Sequence, residues 1–251
     1  MREKHKYDAS NFEYLDEIAQ SFYDDNNVQL SMFNGQLDSR ADRDVNPLAP
    51  LCIGMDYNAN INWIVAGQPS GRRLNVLKSF YVKFERKLPA LIDDFCRYYA
   101  FHQNKTVIFY YDTTALGSNY AVNEQDFRWV IIHEFERHGW TVNDIYLGNP
   151  MRHDEKYLLI NQAFQGKQRL MPFFNRQNND DLILAIQAAG VTRGRNGFHK
   201  DKGGEKLAES EEDLLEHRTD GTDAFDTLFI GCEKFPQSDY SGGMVDMGGV
   251  M

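Results

Sequence analysis

Residues 51–84 hold three apolar stretches, LCIGMD (51–56), NINWIVAGQ (60–68) and RRLNVLKSFYVKF (72–84), separated only by the turns DYNAN and QPSG. Runs this short, rich in β-branched and aromatic residues and bounded by Gly, Pro, Asn and Asp, read as strands joined by tight turns. Strands joined so closely run antiparallel, so this part of the chain is committed to a meander. A meander with apolar residues on both faces needs further layers to cover it.

The period then changes. Leu88, Leu91, Ile92, Phe95 and Tyr98 or Tyr99 recur at helical spacing, with Pro89 in the first turn, where its missing N–H costs little. TVIFYYD (106–112) is too short for a helix and reads as a buried strand. Asn123 and Asp126 are candidate caps for a helix lined by Phe127, Val130, Ile131 and Phe135 and stopped by Gly139. WTVNDIYLG (140–148) predicts another strand, and helices follow at about 152–165 and 179–189. RTDGTDAFDTLFIG (218–231) predicts the last helix. The order β-β-β-α-β-α-β-α…α predicts an α/β fold with a mixed sheet, three antiparallel strands then parallel ones, and helices on both faces.

Residues 1–48 are polar and acidic and read as a lead-in, with a short helix at NFEYLDEIAQSFY (11–23) on the spacing of Phe12, Leu15, Ile18 and Phe22. Residues 49–235 form the expected domain, and 236–251, rich in Gly, the expected flexible tail. VTRGRNGFHKDKGGEKLAES reads as a hairpin or mobile loop. Of the 251 residues 42% are hydrophobic, enough for one full core. No apolar run of roughly 18 residues predicts a membrane span, and MREKHKYDAS has no apolar signal core. Cys52, Cys96 and Cys232 are odd in number and far apart, which fits neither a disulfide framework nor a paired metal motif and points to a reducing cytoplasm. The net charge of −10 argues against a broad non-specific nucleic-acid surface but not against a local basic groove.

The acids carry the chemistry. Asp56 closes the first predicted strand, Asp112 the fourth, and Asp223 sits on the last helix. Open α/β sheets place their chemistry at the carboxyl ends of strands. Were the first and fourth strands neighbours, Asp56 and Asp112 would lie side by side, and a divalent cation would relieve their repulsion. Hard oxygen ligands suit Mg²⁺ or Mn²⁺. A third acid from a crossing helix would allow two ions about 4 Å apart to activate a water and stabilise the leaving oxygen of a phosphodiester. The plain alternative is that a strand-end Asp hydrogen-bonds its own turn. On the last helix Phe225, Leu228 and Phe229 share one face, and Asp220, Asp223 and Asp226 run down another, where like charges repel. Asp226 reads there as a solvated neighbour, and the small Ala224 permits close helix–sheet approach.

IGMDYNANINWIVAGQ, VIFYYDTTA and TDGTDAFDTLFIG together resemble the nuclease domain of the large terminase subunit of tailed bacteriophages, over about residues 50–232. The resemblance implies an RNase H-like fold and cleavage of concatemeric double-stranded DNA during genome packaging in the host cytoplasm. It implies Mg²⁺ or Mn²⁺, two ions by the reasoning above, on three acids that carry over onto Asp56, Asp112 and Asp223. Many members have a histidine three residues before the helix acid; here that position is Asp220, which becomes a candidate auxiliary metal ligand. A packaging ATPase domain, a small terminase subunit and a portal protein are the implied partners. No GxxxxGK[ST] occurs, Lys167 of the lone Gly-Lys pair being followed by Gln168, so the ATPase itself is expected elsewhere.

Arg193, Arg195, Lys200, Lys202 and Lys206 in the Gly-rich stretch, and Lys83 beside Arg72, Arg73, Lys78, Arg86 and Lys87 around the third strand, are candidate phosphate contacts. His153 and Lys156, at a helix start after NPMR, could face substrate, although a cap or surface role is the plainer reading, and His133 and His138 read as structural. Tyr57 and Asn58 flank Asp56, where they could orient a metal-bound water. Two other readings remain: a different RNase H-like nuclease, such as a junction resolvase or RNA–DNA hybrid nuclease, and a non-catalytic assembly module of the packaging motor.

Overall fold

The computed structural model describes residues 32–33, 36–57, 61–83, 86–117, 126–194, 197–202 and 219–236. The helix expected at 11–23 and the tail from 237 lie outside the described residues, as do Asn58, Asn123, Arg195 and Lys206.

The meander forms as expected: β1 (Leu51–Tyr57), β2 (Ile61–Ser70) and β3 (Arg73–Lys83) pair antiparallel in sequence. After α1 (Leu88–Tyr98), β4 (Thr106–Tyr111) returns parallel to β1. After α2 (Phe127–Arg137), β5 (Thr141–Tyr146) adds parallel to β4. Asp126 caps α2, accepting from the Trp129 N–H at 2.7 Å, and Gly139 follows at φ +77°, the left-handed turn that ends the helix. Beyond α3 (His153–Phe164) comes a strand not expected from the sequence, β6 (Met171–Phe174), which pairs parallel with β3. It is four residues long, contains Pro172 and lies at the sheet edge, where a residue without an N–H is tolerated. α4 (Asp180–Ala188) leads into a separate hairpin, β7 (Val191–Gly194) with β8 (Gly197–Lys200), and α5 (Asp220–Lys234) closes the domain.

The six-stranded sheet thus runs β5-β4-β1-β2-β3-β6, with β2 opposed to its neighbours. This is the mixed sheet, three antiparallel strands then parallel ones, that the order of elements predicts. Alternating residues of the strands feed two cores. Leu51, Ile53, Met55, Val107 and Phe109 pack with α1 and α2 on one face. Cys52, Trp63, Val65, Ile108 and Tyr110 pack with α3, α4 and α5 on the other.

α5 is pressed onto the sheet. A Cβ on Gly54 of β1 would lie 2.3 Å from both the Ala224 carbonyl oxygen and the Leu228 nitrogen, and one on Gly231 would lie 2.1 Å from the Tyr110 ring. Phe225, Leu228 and Phe229 are buried beneath it, each contributing about 1.5–3 kcal/mol by area removed from water. That contact fixes the first turn of α5 over the carboxyl ends of β1 and β4.

Residues 38–50, expected as coil, are coil apart from one turn of 3₁₀ helix (Ser39–Ala41), and they are docked on the domain. Asp38, Ser39, Ala41 and Asp42 are buried. The Gln68 side chain ties the segment down, accepting from the Asn46 N–H and donating to the Asn46, Ala49 and Pro50 carbonyls.

Candidate active site: a lysine-clamped carboxylate cavity

The parallel register of β1 and β4 sets Leu51 beside Val107 and Gly54 beside Tyr110. Continued two residues, it sets Asp56 beside Asp112, on strands roughly 4.8 Å apart. Both follow residues of the α5 core by an even step, Cys52 to Asp56 and Tyr110 to Asp112, so both belong to the α5 face of the sheet. The structure brings them together with Asp223: all three line one cavity of about 200 Å³, with His153, Lys156 and Lys202. An adjoining cavity of about 300 Å³ shares Asp112, Pro150, Lys156 and Thr227 and adds Arg152, Glu155 and Lys234.

Asp112 also fills the turn role that the sequence allowed. Its Oδ1 accepts from the Thr114 N–H at 2.9 Å and from the Thr114 hydroxyl at 2.5 Å, which fixes the carboxylate where β4 ends. Tyr57 lines the cavity, but its ring stacks on Phe127 of α2 at 5.0 Å, and burial, then Asp112 and Asp56, hold its phenol well above its usual pKa. It is a neutral wall on the α2 side.

Asp223 is held by lysines. Lys200 Nζ lies 2.6 Å from Asp223 Oδ1, Lys202 Nζ 2.7 Å from Oδ2, and Lys156 Nζ 3.3 Å from Oδ1. Burial alone would raise this carboxyl, but the three ammonium groups outweigh it and hold it far below the usual carboxylate range. Asp226 overturns its reading as a solvated neighbour: it is 0% exposed, with Lys200 Nζ at 2.9 Å and Lys156 Nζ at 3.3 Å. Lys200 therefore bridges Asp223 and Asp226 and also donates to the Thr222 hydroxyl at 2.6 Å. Burial opposes its charge, yet Asp223 and Asp226 hold the ammonium above its ordinary pKa. The repulsion along this helical face is answered by a cation from the chain itself. Lys200, expected to meet DNA phosphates, faces carboxylates instead.

Asp220 is buried at the start of α5 and is not among the residues lining the cavity. Lys83 ends β3 at the same sheet edge as Asp56, through the pairs Asp56–Trp63, Trp63–Tyr81 and Ile61–Lys83. Arg72, in the turn before β3, and Arg73, its first residue, lie at the opposite end of the strand, so these basic residues do not form one patch with Lys83. Arg193 is placed by its backbone in β7, paired with Phe198.

His153 and Lys156 are cavity residues, the less favoured of the two roles that the sequence left open for them. His153 Nδ1 is buried with no hydrogen-bond partner among the described residues, and burial, then Lys156, keeps its imidazole below its ordinary pKa and so neutral at pH 7. The signal that could have found these residues was their place on the helix after β5, at the carboxyl edge of the parallel strands.

As donors for a divalent ion, Asp56 and Asp112 fit: hard oxygens on adjacent strands, open to one cavity. Asp223 fits less well, because lysine ammoniums occupy both its oxygens. Among the described residues no cluster of three acids, histidines or cysteines is close enough to hold an ion. No helix among them is long and apolar enough to cross a membrane.

A mixed sheet of this order carries a candidate acid site at the ends of two adjacent parallel strands. No family model matches the chain, and no curated protein does. Among solved structures, it is similar to the large terminase of a thermophilic bacteriophage, at 15% identity and TM-score 0.45, over 76% of this chain and 41% of that one. It is similar also to the nuclease domain of g2p, the large terminase of bacteriophage SPP1, with bound Mn (11%, TM-score 0.37, 72% and 86%). Third is T. thermophilus RuvC in complex with a Holliday junction substrate (9%, TM-score 0.34, 74% and 94%). The chain spans about two fifths of the length of the thermophilic phage's terminase.

Proposed function

We propose that this chain is a metal-dependent endonuclease that cuts concatemeric double-stranded DNA during phage genome packaging. One observation carries the reading: Asp56 and Asp112, on adjacent parallel strands, share a cavity with Asp223. Asp56 and Asp112 would hold Mg²⁺ or Mn²⁺, which when bound lowers the pKa of water and offsets the charge on a phosphodiester. Thr114 orients Asp112 for that task. His153, neutral and on the same wall, can accept a proton at its imidazole from an attacking water. Lys202, with 42% of its side chain exposed, is the clamp lysine best able to reach a phosphate. Lys83, Arg193, Arg195 and Lys206 are proposed to extend the DNA contact, Arg195 and Lys206 from outside the described residues. A packaging ATPase, a small terminase subunit and a portal protein are the proposed partners, with residues 49–235 as the nuclease unit.

The test is plasmid nicking in Mg²⁺ and Mn²⁺ beside linear duplex, four-way junction and RNA–DNA hybrid substrates. Duplex cleavage that Asp56→Asn and Asp112→Asn each reduce at least ~100-fold, about 2.7 kcal/mol of barrier, is expected. Full activity in both variants overturns the site. A strong preference for junction or hybrid moves the chain to another class of nuclease.

A further inference from the structure

Three acids at one cavity suggest room for two ions, yet the described side chains already supply a fixed cation. Lys200 Nζ is bonded to Asp223 Oδ1, Asp226 Oδ2 and the Thr222 hydroxyl. Its side chain is 6% exposed and Asp226 is wholly buried, so the ammonium cannot leave without taking from a carboxylate away from water the nearer of its two lysine partners. Lys202 and Lys156 take the rest of the Asp223 carboxylate.

We propose that the site binds a single divalent ion, on Asp56 and Asp112, and that Lys200 permanently fills the place of a second. The inference rests on the nuclease reading above. Charge counting agrees with it. Three carboxylates with two dications leave one net positive charge to meet the scissile phosphate. Asp56, Asp112, Asp223 and Asp226 with Lys156, Lys200, Lys202 and one dication leave the same single positive charge. A second dication on the Asp223 oxygens would face a buried ammonium with little water to screen the repulsion.

Lys200 is thus a positioning residue. It fixes the Asp223 carboxylate and the first turn of α5 relative to the β8 end, and does by a covalently attached cation what an ion would otherwise do. The two lysines divide the work: Lys202 is substantially exposed and can exchange Asp223 for a phosphate, whereas Lys200 cannot.

The test counts ions. The whole chain is titrated with Mn²⁺, free Mn²⁺ being read by electron paramagnetic resonance, with and without a phosphorothioate duplex that resists hydrolysis, the DNA-only signal being subtracted. One ion per chain is expected in both states. Two ions in either state overturn the proposal and leave metal-dependent cleavage standing; no ion overturns both. Lys200→Ala, checked by circular dichroism, is expected to bind a second ion. A folded Lys200→Ala that still binds one shows that the lysine does not exclude the second. Where that variant does not fold, the wild-type count decides.

Discussion

Asp42 and Asp44, in the segment that precedes β1, and Asp223, in the first turn of α5, are aspartates removed from bulk water whose carboxyls are pushed in opposite directions. Burial raises Asp42 to about 6 although Tyr98 and Asn178 both donate to it, and burial, then Asp42, raises Asp44 to about 7. Asp44 Oδ2 is buried without a hydrogen-bond partner among the described residues. Asp223 has three ammonium groups within 3.3 Å and is held far down. Neutral donors soften desolvation but do not cancel it, whereas full charges at contact distance reverse it. The first cluster is a docking contact whose carboxyls hold their protons up to about pH 6 to 7. The second is a charged network that stays ionised.

Lys200→Met should break the second cluster hardest. It takes from the buried Asp226 the nearer of its two lysine partners and is expected to cost about 3–5 kcal/mol, read as a drop in the urea midpoint. A loss below about 1 kcal/mol would mean that the network is no stronger than a surface pair.

Gly54→Ala tests the frame that holds the network in place. The added methyl meets α5 backbone at 2.3 Å, so α5 must shift, at an expected cost of about 1–3 kcal/mol together with lost cleavage. Unchanged stability and cleavage would show that α5 does not need its close seat.

The pH dependence sharpens the contrast. Between about pH 4 and 7 the folded chain keeps protons on Asp42 and Asp44 that the unfolded chain has released, so their contribution to stability falls as pH rises through that window and is flat above it. Asp223 acts in the opposite sense: its contribution is complete above about pH 4 and is lost as pH falls below that. Urea midpoints from pH 2 to 8 should show a decline from 4 to 7 that is absent in Asp42→Asn/Asp44→Asn, and an acid-side loss that is reduced in Asp223→Asn. A wild-type curve rising from pH 4 to 7 relative to the double variant would reverse the assignment.

Lys202→Ala should have the smallest effect on stability, under about 1 kcal/mol, because its side chain is largely solvated. It should instead lower the slope of log affinity for duplex DNA against log salt by about 1. An unchanged slope would keep Lys202 off the DNA.

The contrast also marks what the sequence could tell. β1 to β5 were legible because each apolar run is bounded by turn residues and its period differs from that of the next element. Asp56 and Asp112 were legible as strand-end acids. β6 was not, since MPFF is short, holds a proline and draws its stability from the β3 edge. The lysine clamp was not legible either: Lys156, Lys200 and Lys202 come from α3, from β8 and just after it, and meet α5 only in three dimensions. A helical wheel set Asp223 and Asp226 on one polar face but could not show that a hairpin lies against it. The same blindness left the buried Asp38 and Asp42 inside a segment read only as a polar lead-in.

Manganese soaked into crystals of the protein, and located by its anomalous scattering, tests the central claim most directly. The account predicts a peak bound by carboxylate oxygens of both Asp56 and Asp112, with Lys200 still on Asp223 and Asp226. A peak held by Asp223 with Lys200 displaced, or an ion bound away from the ends of β1 and β4, would contradict it.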